Sequence, residues 1–117
     1  RGITHDTGND RMVVTQAGTY EVTAGFEVRR VGGSVSGTNI LSRASIKRSG
    51  SWIMHGDTMW RSAGTTYGNN SVRVRTYASV GQYFEIFAYA NFDGTKTIEQ
   101  LGGLNSAAFF VGFKEIT

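Results

Sequence analysis

The sequence predicts an all-β protein, and three observations carry that prediction. Among the aliphatic residues 17 Val and Ile stand against 3 Leu, with 13 Thr beside them, a mix that suits half-buried pleated surfaces better than helices. Sixteen Gly and no Pro imply many tight turns, built from Gly, Asn, Asp and Ser. Apolar residues recur at every second position through several segments, which is the period of a strand. At 117 residues the chain has the length of one domain, and 27 Val, Ile, Leu and Phe are enough for a core. That core forms without disulfides, because Cys is absent, and a chain without thiols is tolerated in any redox compartment.

The elements follow in order. Residues 1–12, which begin RGITHDTGND, carry neither a signal pattern nor an initiator Met and are expected to be a lead-in from a longer chain. No stretch approaches the roughly 18 consecutive apolar residues of a membrane span, so no membrane insertion is expected. From Gly18, Tyr20, Val22, Ala24, Phe26 and Val28 point one way while Thr19, Glu21, Thr23 and Glu27 point the other, a strand with one wet face. The Gly-rich segment 31–39 reads as a loop. Next, Ile40, Ala44 and Ile46 alternate with Leu41, Arg43, Ser45 and Lys47, and a turn over Arg48, Ser49, Gly50 and Ser51 leads into Trp52, Ile53 and Met54 as a hairpin. The segment from His55 to Asn70 holds several Gly and Asn without a sustained period and is expected to be exposed loop with short strand fragments.

Val72, Val74, Thr76 and Ala78 then oppose Ser71, Arg73, Arg75 and Tyr77, a strand with a basic outer face, and Gly81 turns the chain. In the next strand Phe84, Ile86, Ala88 and Ala90 share one face, yet Tyr83, Phe87 and Tyr89 stand on the other. The last, Ser106 to Ile116, is likewise apolar on both faces, with Phe109 on one and Phe110 on the other. An antiparallel sheet usually wets one face, so a second surface must cover these strands. A partner subunit is the expected cover, with Tyr83, Phe87, Tyr89 and Phe110 at a trimer interface.

Three of these segments, in this order, resemble the globular heads of complement component 1q and tumour necrosis factor. Gly18 and Tyr20 in AGTYEVTAGFEV stand at that family's recurring Gly-x-Tyr/Phe step. VGQYFEIFAYAN, with Gly81 at its turn, resembles the strand after a tight Gly turn. Asn105, Ser106, Phe110, Gly112 and Phe113 match the family's closing strand. The match covers most of the chain after Val13. It implies a jelly-roll β-sandwich of about ten strands that assembles as a homotrimer. Ala17 stands where the family commonly has Pro, and the chain has no collagen-like repeat. Domains of this shape also occur in bacteriophage virions. The resemblance therefore implies a virion-surface protein, a capsid or tail decoration, fibre head or host-attachment tip, with other virion proteins and a host glycan or protein as partners.

Chemistry is sparse. The two His, His5 and His55, are the only candidates for a Ser-His-Asp arrangement, and His55 with Asp57 is read as a loop pair without a nucleophile elbow. No Cys/His cluster has zinc spacing, and Asp6, Asn9 and Asp10 read as a solvated turn instead of a calcium loop. No metal, no cofactor and no enzymatic activity are expected. The outside contact is expected in the His55–Asn70 segment, through Trp60, Arg61, Tyr67, Asn69 and Asn70, because flat aromatics and amides suit stacking and hydrogen bonding to a receptor or sugar. The nine Arg and three Lys are spread along the chain, giving a net charge of +3 without a nucleic-acid arm. Nucleic acid is therefore not an expected partner. Two alternatives stand beside the virion head: a carbohydrate- or receptor-binding module of a cellular secreted protein, and a single-stranded nucleic-acid-binding β-barrel using Arg73, Arg75 and Tyr77.

Overall fold

The computed structural model describes residues 2–30, 40–60, 67–91, 96–98 and 109–116, and all regular structure among them is β. Among these residues nine strands run in chain order: β1 (Ile3–Asp6), β2 (Arg11–Val14), β3 (Gly18–Arg30), β4 (Ile40–Arg48), β5 (Ser51–Trp60), β6 (Tyr67–Ala78), β7 (Tyr83–Ala90), β8 (Lys96–Ile98) and β9 (Phe109–Ile116). One sheet has the order β1-β2-β7-β4-β5. In the other, β3 pairs with β6 along one edge and with β8 and then β9 along the other. All pairings are antiparallel.

The alternation read from the sequence sets the inner faces. Tyr20, Val22, Ala24 and Phe26 of β3 are buried, as are Val72 and Ala78 of β6, and they meet Val14, Ala44, Ile46 and Phe84 of the five-stranded sheet in one core. Full burial of a Val, Ile or Phe side chain stabilises by roughly 1.5–3 kcal/mol, so this cluster is the main force joining the layers. The Tyr20 and Phe84 rings cross the gap between sheets with centroids 6.1 Å apart and planes tilted by 55°.

Residues 3–12, expected as a lead-in, instead form β1 and the start of β2, and β2 pairs with β7. The turn between them explains why. The Asp6 carboxylate accepts from the Gly8 backbone N–H (3.2 Å), the Asn9 side-chain amide (2.9 Å) and Arg11 Nε (3.1 Å), which closes the hairpin locally. The Asn9 hydrogen bond, with Arg11 and Gly8 acting the same way against some desolvation, holds the Asp6 carboxyl below its ordinary pKa.

The start of the chain is also pinned by Tyr20, whose hydroxyl lies 2.9 Å from the Gly2 carbonyl and 2.5 Å from that of Gln16. Burial, and secondarily the Glu115 carboxylate, raise the phenol above its ordinary pKa of 10.0. A raised folded pKa means that the folded chain keeps a proton the unfolded chain has already released. Stability from this group is therefore complete below pH 10 and declines as pH rises past the unfolded value. Denaturation midpoints measured from pH 8 to pH 11 should fall more steeply for the native chain than for Tyr20→Phe. Parallel curves would remove Tyr20 as the source.

Between β4 and β5, Ser49 and Gly50 both have positive φ, 48° and 87°, as a two-residue hairpin turn of the primed type requires. Pairing begins as simple counting expects, Arg48 with Ser51 and Lys47 with Trp52. An irregularity between Ile46 and Lys47 then sets Ile46 opposite Met54, leaving Ile53 as the extra residue on β5. From there Ser45 faces His55, Ala44 faces Gly56 and Arg43 faces Asp57.

The expectation that His55 to Asn70 is mostly loop is thereby corrected: β5 continues to Trp60 and β6 begins at Tyr67. The residues read as strand breakers have a different purpose. Gly56 is inward, and a Cβ there would stand 2.0 Å from the Ser71 carbonyl oxygen of β6, so its lack of a side chain lets the two sheets touch. Asn70 is 5% exposed, and its amide bonds the Ser42 hydroxyl across the same gap, with distances of 3.0 Å to Oδ1 and 2.8 Å to Nδ2.

Candidate functional site

The outer face of the five-stranded sheet is where the described polar and aromatic side chains gather. The bulge turns His55 and Asp57 outward, onto the face shared by Arg43, Ser45 and Lys47 of β4 and by Tyr83, Phe87 and Tyr89 of β7. Arg43 and Asp57 form a two-pronged cross-strand pair, Nε to Oδ1 at 2.6 Å and Nη2 to Oδ2 at 2.9 Å. The Arg43 hydrogen bonds hold the Asp57 carboxyl below its ordinary pKa, and Asp57 in turn raises that of the guanidinium. One residue pair further along, Ser45 Oγ and His55 Nδ1 are 2.7 Å apart.

The aromatics are arranged around a cation. Lys47 Nζ lies 4.3 Å from the Trp52 ring centroid and 4.8 Å from that of Phe87, and the two rings meet edge to face at 5.2 Å. The His55 ring adds a third member, 5.4 Å from Trp52. At the other end of β7, the Arg11 guanidinium sits 4.1 Å over the Tyr83 ring. Even so, Trp52 keeps 51% of its surface exposed, Tyr89 54% and Phe87 38%. Together with Arg43, His55 and Asn91 these residues line an open cleft of about 540 Å³. Asn91 is held at its rim by a reciprocal pair with Leu41, whose backbone N–H donates to Asn91 Oδ1 at 2.9 Å and whose carbonyl accepts from the Asn91 backbone N–H at 3.2 Å.

Of the residues expected to bind a ligand, Trp60 ends β5 opposite Ile40, and Tyr67 and Asn69 begin β6 opposite Arg29 and Glu27. Arg61 lies outside the described residues. Asn70 does not face solvent; its amide is engaged in the interior by Ser42. The four residues expected at one trimer interface fall in two different sheets: Tyr83, Phe87 and Tyr89 on β7 of the five-stranded sheet, Phe110 on β9 opposite Gly25 of the four-stranded one. Both strands had apolar residues on two faces, and only the pairing partners reveal that they belong to different sheets. Arg73, Arg75 and Tyr77 are exposed in a row on β6, where Arg75 sits opposite Glu21 of β3. Asn105 and Ser106 are outside the described residues.

Two antiparallel sheets packed face to face, with a core of alternating residues from each and a polar-aromatic outer face, define an antiparallel β-sandwich. A solved structure of Eiger TNF from S. frugiperda has this architecture, with a TM-score of 0.65 at 11% identity over 98% of this chain and 69% of that one. No protein-family model and no curated protein matches the chain. The likeness is therefore one of fold, and it bears out the expected jelly roll.

Proposed function

We propose that this chain is a non-enzymatic interaction domain that assembles as a homotrimeric head on a virion surface, serving as decoration or as a host-attachment tip. The observation that carries the interaction reading is the outer face of the five-stranded sheet, where aromatic and charged groups are spread over a rigid open surface and do not converge on a reacting centre. The trimer is supported by the tumour necrosis factor-like fold, and the virion only by the resemblance of the sequence, with its polar Gly-, Ser- and Asn-rich segments, to phage heads. Three copies of one surface on a rigid head would sum weak contacts into useful avidity. The likeness to Eiger TNF favours a second reading, a cellular secreted module that binds a receptor or carbohydrate. An antibody against the domain labels purified virions on the first reading and secreted protein on the second.

Interface cores are depleted of charge. Along β7 the rings of Tyr83 and Phe87 each lie beside a cation, Arg11 or Lys47, which favours leaving that face in water. This supports a subunit contact on the four-stranded sheet, at the end where β9 sets Phe110 opposite Gly25. Phe110→Glu should dissociate the trimer in sedimentation velocity at micromolar concentration, since an unpaired buried carboxylate is strongly unfavourable, whereas Tyr89→Glu should leave it assembled. A monomeric native chain sinks the trimer. Dissociation by Tyr89→Glu alone returns the contact to β7.

A further inference from the structure

We infer that the cleft on the outer face of the five-stranded sheet, lined by Trp52, Tyr89, His55 and Arg43, is a binding site for a neutral saccharide. This deepens the reading of the domain as a binding head and names the class of ligand and the residues that hold it.

Size comes first. About 540 Å³ falls within the range of roughly 300–1,000 Å³ typical of small-molecule sites, and the cleft is open, so a ring at the end or in the middle of a chain can enter. Its walls have two characters. Trp52 and Tyr89 present flat apolar surface that is about half exposed, while Arg43, His55 and Asn91 present planar polar groups in the same opening. A pyranose has this same division: one face of C–H groups that packs on a ring, and a rim of hydroxyls that both donate and accept.

The polar groups are also held in place before any ligand arrives. The two-pronged Arg43–Asp57 pair spans β4 and β5, and His55 is oriented by Ser45, which leaves Nε2 as the ring nitrogen not engaged by that serine. Groups fixed on paired strands bind with less loss of side-chain entropy than groups on a loop.

Charge balance selects a neutral ligand over an anionic one. Arg43 is neutralised by Asp57, and Lys47 is drawn onto the faces of Trp52 and Phe87. The cleft thus offers no unpaired guanidinium fork for a phosphate, sulfate or carboxylate. A peptide strand would instead need a free sheet edge to pair with, and this cleft lies on a sheet face, with β4 flanked by β5 and β7.

The test is a glycan array probed with the intact chain, followed by titration of the best neutral glycan by calorimetry at low and high salt. Trp52→Ala and Tyr89→Ala should each weaken binding on the order of tenfold or more, as truncation of an aromatic anchor does. Arg43→Ala should weaken it as well, Trp60→Ala and Tyr67→Ala should leave it unchanged, and the affinity should vary little with salt. The proposal is overturned if no neutral glycan binds, if binding is lost in Trp60→Ala but kept in the cleft variants, or if only acidic glycans bind with a steep salt dependence. Sedimentation of each variant separates this from the assembly. Loss of binding with the native oligomeric state supports the cleft, whereas disassembly caused by Trp52→Ala or Tyr89→Ala makes the face a subunit contact and removes the ligand site. A native chain that is monomeric yet binds the glycan keeps the cleft and fails only the trimer.

Discussion

Gly56→Ala should destabilise the domain by about 3 kcal/mol, the upper part of the range for inserting a methyl into a packed region. The added Cβ would sit 2.0 Å from the Ser71 carbonyl oxygen, 3.0 Å from its carbon and 3.2 Å from Val72 Cβ. Two of those atoms are backbone of β6, which is held by a twelve-residue register to β3 and cannot swing aside as a flexible side chain does. Relief requires β5 to move away from β6, which opens the Ser42–Asn70 bonds across the same gap. A loss of that size corresponds to roughly 12 °C in Tm or more for a domain near 100 residues. Gly8→Ala is the matched control, because a Cβ there meets only Asp6 Oδ1 at an ordinary 3.6 Å. Equal melting temperatures for Gly56→Ala and the native chain would mean that the two sheets do not touch at this point.

Phe84→Ala and Phe87→Ala, three positions apart on β7, should differ by several-fold in their cost. Phe84 is 1% exposed and packs against Tyr20 of the opposite sheet, so its removal leaves a cavity between the layers and should cost about 3–5 kcal/mol. Phe87 is on the outer face, 38% exposed, and its loss should cost no more than about 1 kcal/mol, as for other surface positions. Urea denaturation of both variants checks this. The reverse order would show that β7 is turned over, because a one-residue slip in register moves every side chain to the other face.

Much of this fold was legible in the sequence. Period-two alternation fixed which residues of β3 and β6 point inward, since each has one apolar and one polar face and β3 buries Tyr20, Val22, Ala24 and Phe26 together. The turns at Ser49-Gly50 and Gly81 were equally readable, because positive φ at a turn favours residues with little steric penalty. The candidate site was less so. The sequence sets Tyr83, Phe87 and Tyr89 on a second apolar face, expected to be covered by a partner subunit, but does not join Trp52, Arg43, His55 and Asp57 to them. Counting outward from Ser49 and Gly50 pairs β4 with β5 and sets Trp52 beside Lys47, but by itself it leaves His55 and Asp57 off that face.

That count fails at one residue, and the failure separates what the chain's composition and pattern determine from what tertiary structure decides. Without the extra residue Ile53, Arg43 would face Gly56, and His55 and Asp57 would lie on the inner side. The bulge reverses this, so that glycine goes inward to Ser71 and the two polar residues go outward to Ser45 and Arg43. Local pattern cannot foresee it, because Gly56 and Asn70 read as loop residues until the other sheet is in place to need a missing side chain at one and a buried amide at the other. Strand identity and inner face follow from short-range alternation, which each strand carries in its own residues. Which strands are neighbours, where the register slips and which aromatic faces look the same way depend on contacts between residues far apart in the chain, and those exist only once the two sheets have closed on their common core.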